Sequence, residues 1–170
     1  MQMIAASKMT RAQNMTRDGR PYADRILEVL GDLAALAAKE NDDSVTDLLR
    51  VRPVKKTLAI LVTPDRGLAC ALVGNLQRAA GVFIQETVGD VSVIGVGRKG
   101  ERFITRTGND LMAAFSVPDR PRLDDTVAIS RMLMDEYSSQ RVDRVVLIYA
   151  RFVNTAVQTV TVQQLLPVEP

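Results

Sequence analysis

The 170-residue chain has no histidine and a single cysteine, Cys70. Without histidine, the commonest general base and the commonest metal ligand are both missing. Ser-His-Asp triads are impossible, and a zinc site would need carboxylates alone. One cysteine excludes an internal disulfide and any multi-cysteine metal site. Cys70 precedes Ala71 and Leu72, and with no histidine to activate it, it reads as a small buried hydrophobe instead of a nucleophile. No Gly-Lys pair occurs, so the chain carries no P-loop, and nucleotide hydrolysis by this chain alone is not expected. No apolar run approaches the length of a membrane span. The N-terminal apolar residues are interrupted at Ser7 and Lys8, unlike those of a signal peptide. The net charge of +2 is too small to imply nucleic acid or an anionic membrane. RVRPVKK (50–56) is basic but has no aromatic on which a base would stack. These absences point to a soluble protein of a reducing compartment.

What is present is ordinary in composition, with 46% hydrophobic and 25% charged residues, enough for one domain that buries roughly 70% of its unfolded surface. Residues 1–39 read as a long helix. Ala23, Ile26, Leu30, Leu33 and Ala37 follow a 3, 4, 3, 4 spacing, the seam of a coiled coil. Gly19 and Pro21 interrupt the middle, and the amide that Pro21 lacks predicts a bend or two abutting helices. A continuous helix would reach roughly 57 Å. Lys8, Arg11 and Arg17 all precede Asp18, the first acidic residue, and a one-sided basic stretch suits an acidic partner. Residues 40–56 read as a mixed-charge linker with room for a short helical turn.

From residue 57 to 168 the pattern is strand–helix alternation. Strands are expected at 57–63, 91–96, 111–117, 144–153 and 155–168, and helices at 71–88, 98–107 and 124–140. The last two strands are separated only by Asn154 and its neighbours, which predicts a hairpin. The fold class is therefore α/β: an open, mostly parallel sheet with an antiparallel edge strand, in a Rossmann-like order of elements, preceded by the long helix.

Gly95-x-Gly97-x-x-Gly100 follows the second strand and spells a dinucleotide-binding turn. A working turn of that kind follows the first strand, opens an apolar helix and has an acidic residue about 20 positions on. Here the helix begins with Arg98, Lys99, Glu101 and Arg102, which reads as a solvated charged face not packed on the sheet. Asp119 lies at about the right distance but within a loop. The favoured reading is a tight β-to-α turn whose glycines let the backbone reverse. In TPDRGLACALVGNL (63–76), Asp65 reads as a helix-capping acceptor and Gly67 as a turn residue, or the segment as an exposed contact loop.

A family resemblance rests on several of these stretches. MQMIAASKMTRAQ, RPYADRILEVLGDLA, TPDRGLACALVGNL, VIGVGRKGERF and TVTVQQLLPV resemble, in order, segments of the gamma subunit, the central rotor of the F-type ATP synthase. The resemblance runs without large gaps along the whole chain. It implies a non-catalytic rotor, with no catalytic residues, no metal and no cofactor of its own, that couples proton flow to ATP synthesis on the catalytic beta subunits. The implied partners are the alpha and beta subunits of the hexamer, and, at the foot, the epsilon subunit and the ring of c subunits. The implied location is peripheral to the membrane, on the cytoplasmic side in bacteria or the matrix side in mitochondria. Family members also extend upstream of Met1 and downstream into a helix antiparallel to the first, so the resemblance implies a chain lacking both ends, whose seam is half of a coiled coil.

Beta-subunit contacts carried over from the family motifs are Met1, Met3, Ser7, Lys8 and Arg11 on the helix, and Asp65, Arg66, Gly67 and Leu68 in the loop. Ala69, Cys70, Ala71 and Val73 depart from the family's loop pattern. Two rival readings remain. One is a nucleotide-dependent α/β enzyme using Gly95, Gly97 and Gly100. The other is a regulatory module that dimerises through residues 1–39.

Overall fold

A computed structural model describes residues 2–40, 47–67, 69 and 71–168. The chain divides into two units, one carrying the first helix and the other spanning Ser44–Pro167. Met1, Leu68 and Cys70 lie outside the described residues.

The first unit is α1 (Gln2–Glu40), one helix that runs through Gly19 and Pro21. Two abutting helices are therefore not what Pro21 produces. Losing one backbone hydrogen bond there is tolerated within a helix of 39 residues. Ala23, Ile26, Leu30 and Leu33 sit on α1 as their spacing predicts. Ile26 and Leu33 remain 40% and 49% exposed, so the stripe is apolar and open. Ala37 lies within the helix, described by its backbone only.

In the second unit a short 3₁₀ turn (Asp47–Leu49) precedes β1 (Lys56–Val62), α2 (Leu72–Glu86), β2 (Asp90–Val96), α3 (Arg98–Thr107), β3 (Asp110–Phe115), α4 (Leu123–Ser138), β4 (Arg144–Phe152) and β5 (Gln158–Leu166). The five strands form one sheet in the order β3-β2-β1-β4-β5. All pairings are parallel except β4 with β5. β1 takes the centre because Thr57–Leu61 are all buried, and a strand covered on both faces is a near-continuous apolar run.

Alternation divides the core into two layers. Leu58 and Ile60 of β1 join Ile94, Val96 and Val145 in a cluster closed by Ile129, Leu133 and Tyr137 of α4. Ala59 and Leu61 join Val93, Val146 and Ile148 against Leu76 and Ala80 of α2 and Ile104 of α3. The i, i+4 spacing within α2 and α4 aims one stripe of each helix at the sheet. Crossovers between parallel strands are right-handed. Steps from β1 to β2 to β3 go one way and the step to β4 returns, so α2 and α3 cover one face and α4 the other. Each buried Leu or Ile contributes about 1.5–3 kcal/mol.

The β4–β5 hairpin turns at Asn154, whose side-chain oxygen accepts from the amides of Ala156 and Val157, each at 2.9 Å. It supplies the antiparallel edge expected from the short spacing of the last two strands.

Candidate functional site

The glycine turn is a closed structural joint. Gly97 has φ +95°, a left-handed conformation, and a Cβ there would stand 2.1 Å from the Thr63 carbonyl oxygen. A Cβ on Gly95 would meet the Glu101 amide at 3.2 Å, and one on Gly100 would lie 3.0 Å from Thr63 Oγ1. All three glycines are thus explained by α3 packing tightly on β1 and β2.

The amides of the turn are also engaged. Gly97 N donates to Phe115 O at 2.9 Å, and Glu101 N to Gly97 O at 3.2 Å. Arg98 N donates to Asp65 Oδ1 at 2.7 Å, and Gly100 N to Thr63 Oγ1 at 2.8 Å. Phosphate binding at a helix N-terminus depends on free amides aimed at the ligand. These four are satisfied by the protein's own oxygens, which agrees with reading the motif as a β-to-α turn. One expectation is corrected: α3 does pack on the sheet. Gly100 and Ile104 are buried beneath it while its cations face outward, so the helix is amphipathic.

Asp65 is a capping residue, for α3 and not for the helix that follows its own loop. Its second oxygen accepts from Ser116 Oγ at 3.3 Å. Arg66 pairs with Asp119 at 3.2 Å, both well exposed. The Asp119 carboxylate is thereby held by a guanidinium in this loop cluster. Gly67 is exposed and lines an open cavity of about 690 Å³ with Ala69, Val73, Gln77, Lys99, Arg102, Phe103 and Arg106.

The sequence reading does not group the basic residues of that cavity. The available signal was the i, i+3, i+7 spacing of Lys99, Arg102 and Arg106, which places these cations on one helix face. On α1, Met3, Ser7 and Arg11 recur every four residues on one exposed face with exposed Lys8 adjoining. Met3 is 86% exposed, an uncovered thioether that solvation does not favour. The structure therefore forms two separate groups of predicted contact residues, one on each unit. Among the described residues no cluster of carboxylates or cysteine suits a metal ion, and no helix is long and apolar enough to cross a membrane.

Comparison with known proteins identifies the family. Residues 1–170 match the model of the ATP synthase family. The ATP synthase gamma chain of Dehalococcoides mccartyi is 45% identical over 171 residues, covering 100% of this chain and 59% of the relative. The chain belongs to the ATP synthase gamma family. The gamma chain of Roseiflexus castenholzii is likewise 45% identical, over 175 residues. This chain spans 59% of the length of these curated relatives.

Among solved structures, the central stalk and c-ring of the Tetrahymena thermophila mitochondrial ATP synthase contains a chain of the same fold. It superposes with a TM-score of 0.73 at 26% identity, covering 97% of this chain and 70% of that one. A chain of the rotor of the Euglena gracilis mitochondrial enzyme shares the fold at a TM-score of 0.54 and 14% identity. The family's fold is thus the α/β sheet with its antiparallel edge and long N-terminal helix described above.

Proposed function

We propose that this chain supplies the rotor of a proton-translocating F-type ATP synthase, coupling ring rotation to ATP synthesis on the catalytic beta subunits, with no active site of its own. The observation that carries the reading is the uncovered apolar seam on α1. Ile26 and Leu33 stay largely open along a 39-residue helix, and such a helix gains most of its stability from packing against a partner. Membership of the gamma family supports a coiled-coil mate as that partner, and the alpha and beta subunits as the surroundings of the shaft. The α/β unit is then the foot, facing the epsilon subunit and the c-ring. The complex lies peripheral to the energy-transducing membrane, on the cytoplasmic or matrix side.

Driving a catalytic site from 1:99 to 99:1 takes about 5.5 kcal/mol of differential interaction. An exposed ion pair supplies about 0–1 kcal/mol. No single charge such as Lys8 is therefore the lever. A stiff helix excluding one conformation of each beta subunit in turn supplies the bulk, with Met3, Ser7, Lys8 and Arg11 setting register. The loop residues Arg66 and Gly67, beside the cationic face of α3, form a second contact area. Asp65 acts there indirectly, by holding the loop against the start of α3.

The test is a gamma chain in which these 170 residues replace the aligned segment of the Dehalococcoides mccartyi protein, assembled with its partner subunits in vesicles. ATP-driven proton pumping is expected. Assembly with ATP hydrolysis but no pumping would reject the proposal.

A further inference from the structure

The cavity between α2 and α3 is walled by contacts that hold its shape. Gln77 Nε2 of α2 donates to Lys99 O of α3 at 3.1 Å. Phe103 of α3 reaches α2 where Gly81 leaves room, its Cζ standing 3.7 Å from where a Cβ on Gly81 would lie. The groove is open and holds about 690 Å³. Lys99, Arg102 and Arg106 line it together with Phe103, Val73 and Gly67.

Among the described residues no carboxylate lines this groove. Glu101 is the one acid of α3, and at about 100° per residue it projects roughly 100–160° away from the three cations. It lies toward Gly95, where a Cβ would stand 3.6 Å from Glu101 Cβ. Among the described residues, Lys99, Arg102 and Arg106 enter no ion pair, and Arg66 of the adjoining loop already holds Asp119. Like charges three and four residues apart destabilise a helix, so this row is stabilised by negative charge brought from outside.

The form of the partner follows from the spacing. At about 1.5 Å per residue, the row from Lys99 to Arg106 is about 10.5 Å long, in steps of about 4.5 and 6 Å. A single phosphate or sulfate is too small to touch both ends. Carboxylates on successive turns of a helix recur at about 5.4 Å, and those on alternate residues of a strand at about 6.6 Å. Either spacing fits the row. An apolar side chain between such carboxylates would cover Phe103 and Val73. Because Gly67 also lines the groove, the site is continuous with the loop proposed above as a contact area.

Resting on the rotor reading above, we propose that the α2–α3 groove is an electrostatic docking site for an acidic segment of a neighbouring subunit. Carboxylates of that segment pair with Lys99, Arg102 and Arg106, and an apolar side chain seats against Phe103 and Val73. Exposed charge pairs contribute little individually and chiefly set register and encounter rate. The groove therefore orients the loop contact and makes it sensitive to salt.

The experiment uses the complete gamma chain carrying this sequence, assembled with its partner subunits in vesicles, with benzoylphenylalanine in place of Val73. Illumination, digestion and mass spectrometry then identify what lies in the groove. The expected product joins position 73 to a subunit segment in which Asp and Glu outnumber Lys and Arg. Arg102 and Arg106 are both exposed, and their joint change, Arg102→Glu with Arg106→Glu, should lower the yield about tenfold. With both arginines intact, the yield should also fall as salt rises from about 0.05 to about 0.5 M. Arg78→Glu, which removes an exposed cation of α2 lining a different groove, should keep the full yield. Equal losses in the two charge reversals, a product on a neutral or basic segment or on lipid, or no product would overturn the docking site. Proton pumping by the same vesicles would leave the rotor reading intact in each of those cases. Failure to pump with both arginines intact would remove the rotor reading and this site with it.

Discussion

Replacing Gly97 with alanine tests the account of the glycine turn. The new Cβ would lie 2.1 Å from Thr63 O, a backbone atom that cannot swing aside, in a residue with φ +95°. A non-glycine residue held in such a conformation costs about 1–3 kcal/mol. Relieving the clash also separates β1 from the turn, weakening the bonds from Thr63 N to Val96 O at 2.8 Å and from Gly97 N to Phe115 O at 2.9 Å, about 0.5–1.5 kcal/mol each. The expected loss is about 3–5 kcal/mol, a large part of the about 5–15 kcal/mol that holds a domain folded. In urea, tyrosine fluorescence reports on the α/β unit, because Tyr137 is fully buried there. With a slope of about 2 kcal/mol per molar, the midpoint should fall by about 2 M. Gly108→Ala, with φ +71° but open space around it, should cost only about 1 kcal/mol. Gly74→Ala, in α2 with nothing within 4 Å, should stabilise by about 1 kcal/mol. Equal losses at positions 97 and 108 would refute the packing argument, and so would a Gly97→Ala chain as stable as the parent.

Three further outcomes are expected. In the assembled enzyme, Lys8→Glu should reduce pumping per ATP modestly and Met3→Arg more, because a bulky group on the shaft alters steric fit; equal effects would reject that ranking. On its own, the 170-residue chain should self-associate through its open seam, and Ile26→Lys with Leu33→Lys should return it to a monomer by light scattering. The Lys55 amide above all, opposed by desolvation and aided by the Lys56 amide, holds Asp143 below the usual carboxylate range. A depressed folded value contributes stability above the unfolded pKa, so the urea-midpoint gap between the parent and Asp143→Asn should be full at neutral pH and narrow below about pH 4. A gap independent of pH would contradict that assignment.

Much of the fold was legible because burial on both faces leaves a visible trace. TLAILVT could only be a covered strand, and the short connection at Asn154 fixed an antiparallel edge. The packing of α3 was not legible, since its buried face consists of Gly100 and Ile104, and a glycine carries no hydrophobic signal. The basic segment RVRPVKK read as part of a linker for a different reason. Arg52 finds its partner 85 residues away, a pairing no local pattern encodes. At the candidate site, the turn reading of the glycine motif followed from the charged start of its helix, whereas the cavity that the cations of α3 share with Gly67 became visible only with the loop after β1 brought beside α3. The capping role of Asp65 was foreseeable from its residue type, but its target, the α3 amide of Arg98, depended on the sheet order.

The measurement that bears most directly on the central claim is single-molecule rotation. An optical probe fixed to the foot through Val88→Cys, 87% exposed, in a Cys70→Ala background, would report on the assembled catalytic hexamer supplied with ATP. Sustained rotation in one direction, with no nucleotide bound to the isolated chain in calorimetry, is the predicted result. A foot that stays still while ATP is consumed, or an isolated chain that binds nucleotide at its glycine turn, would contradict it.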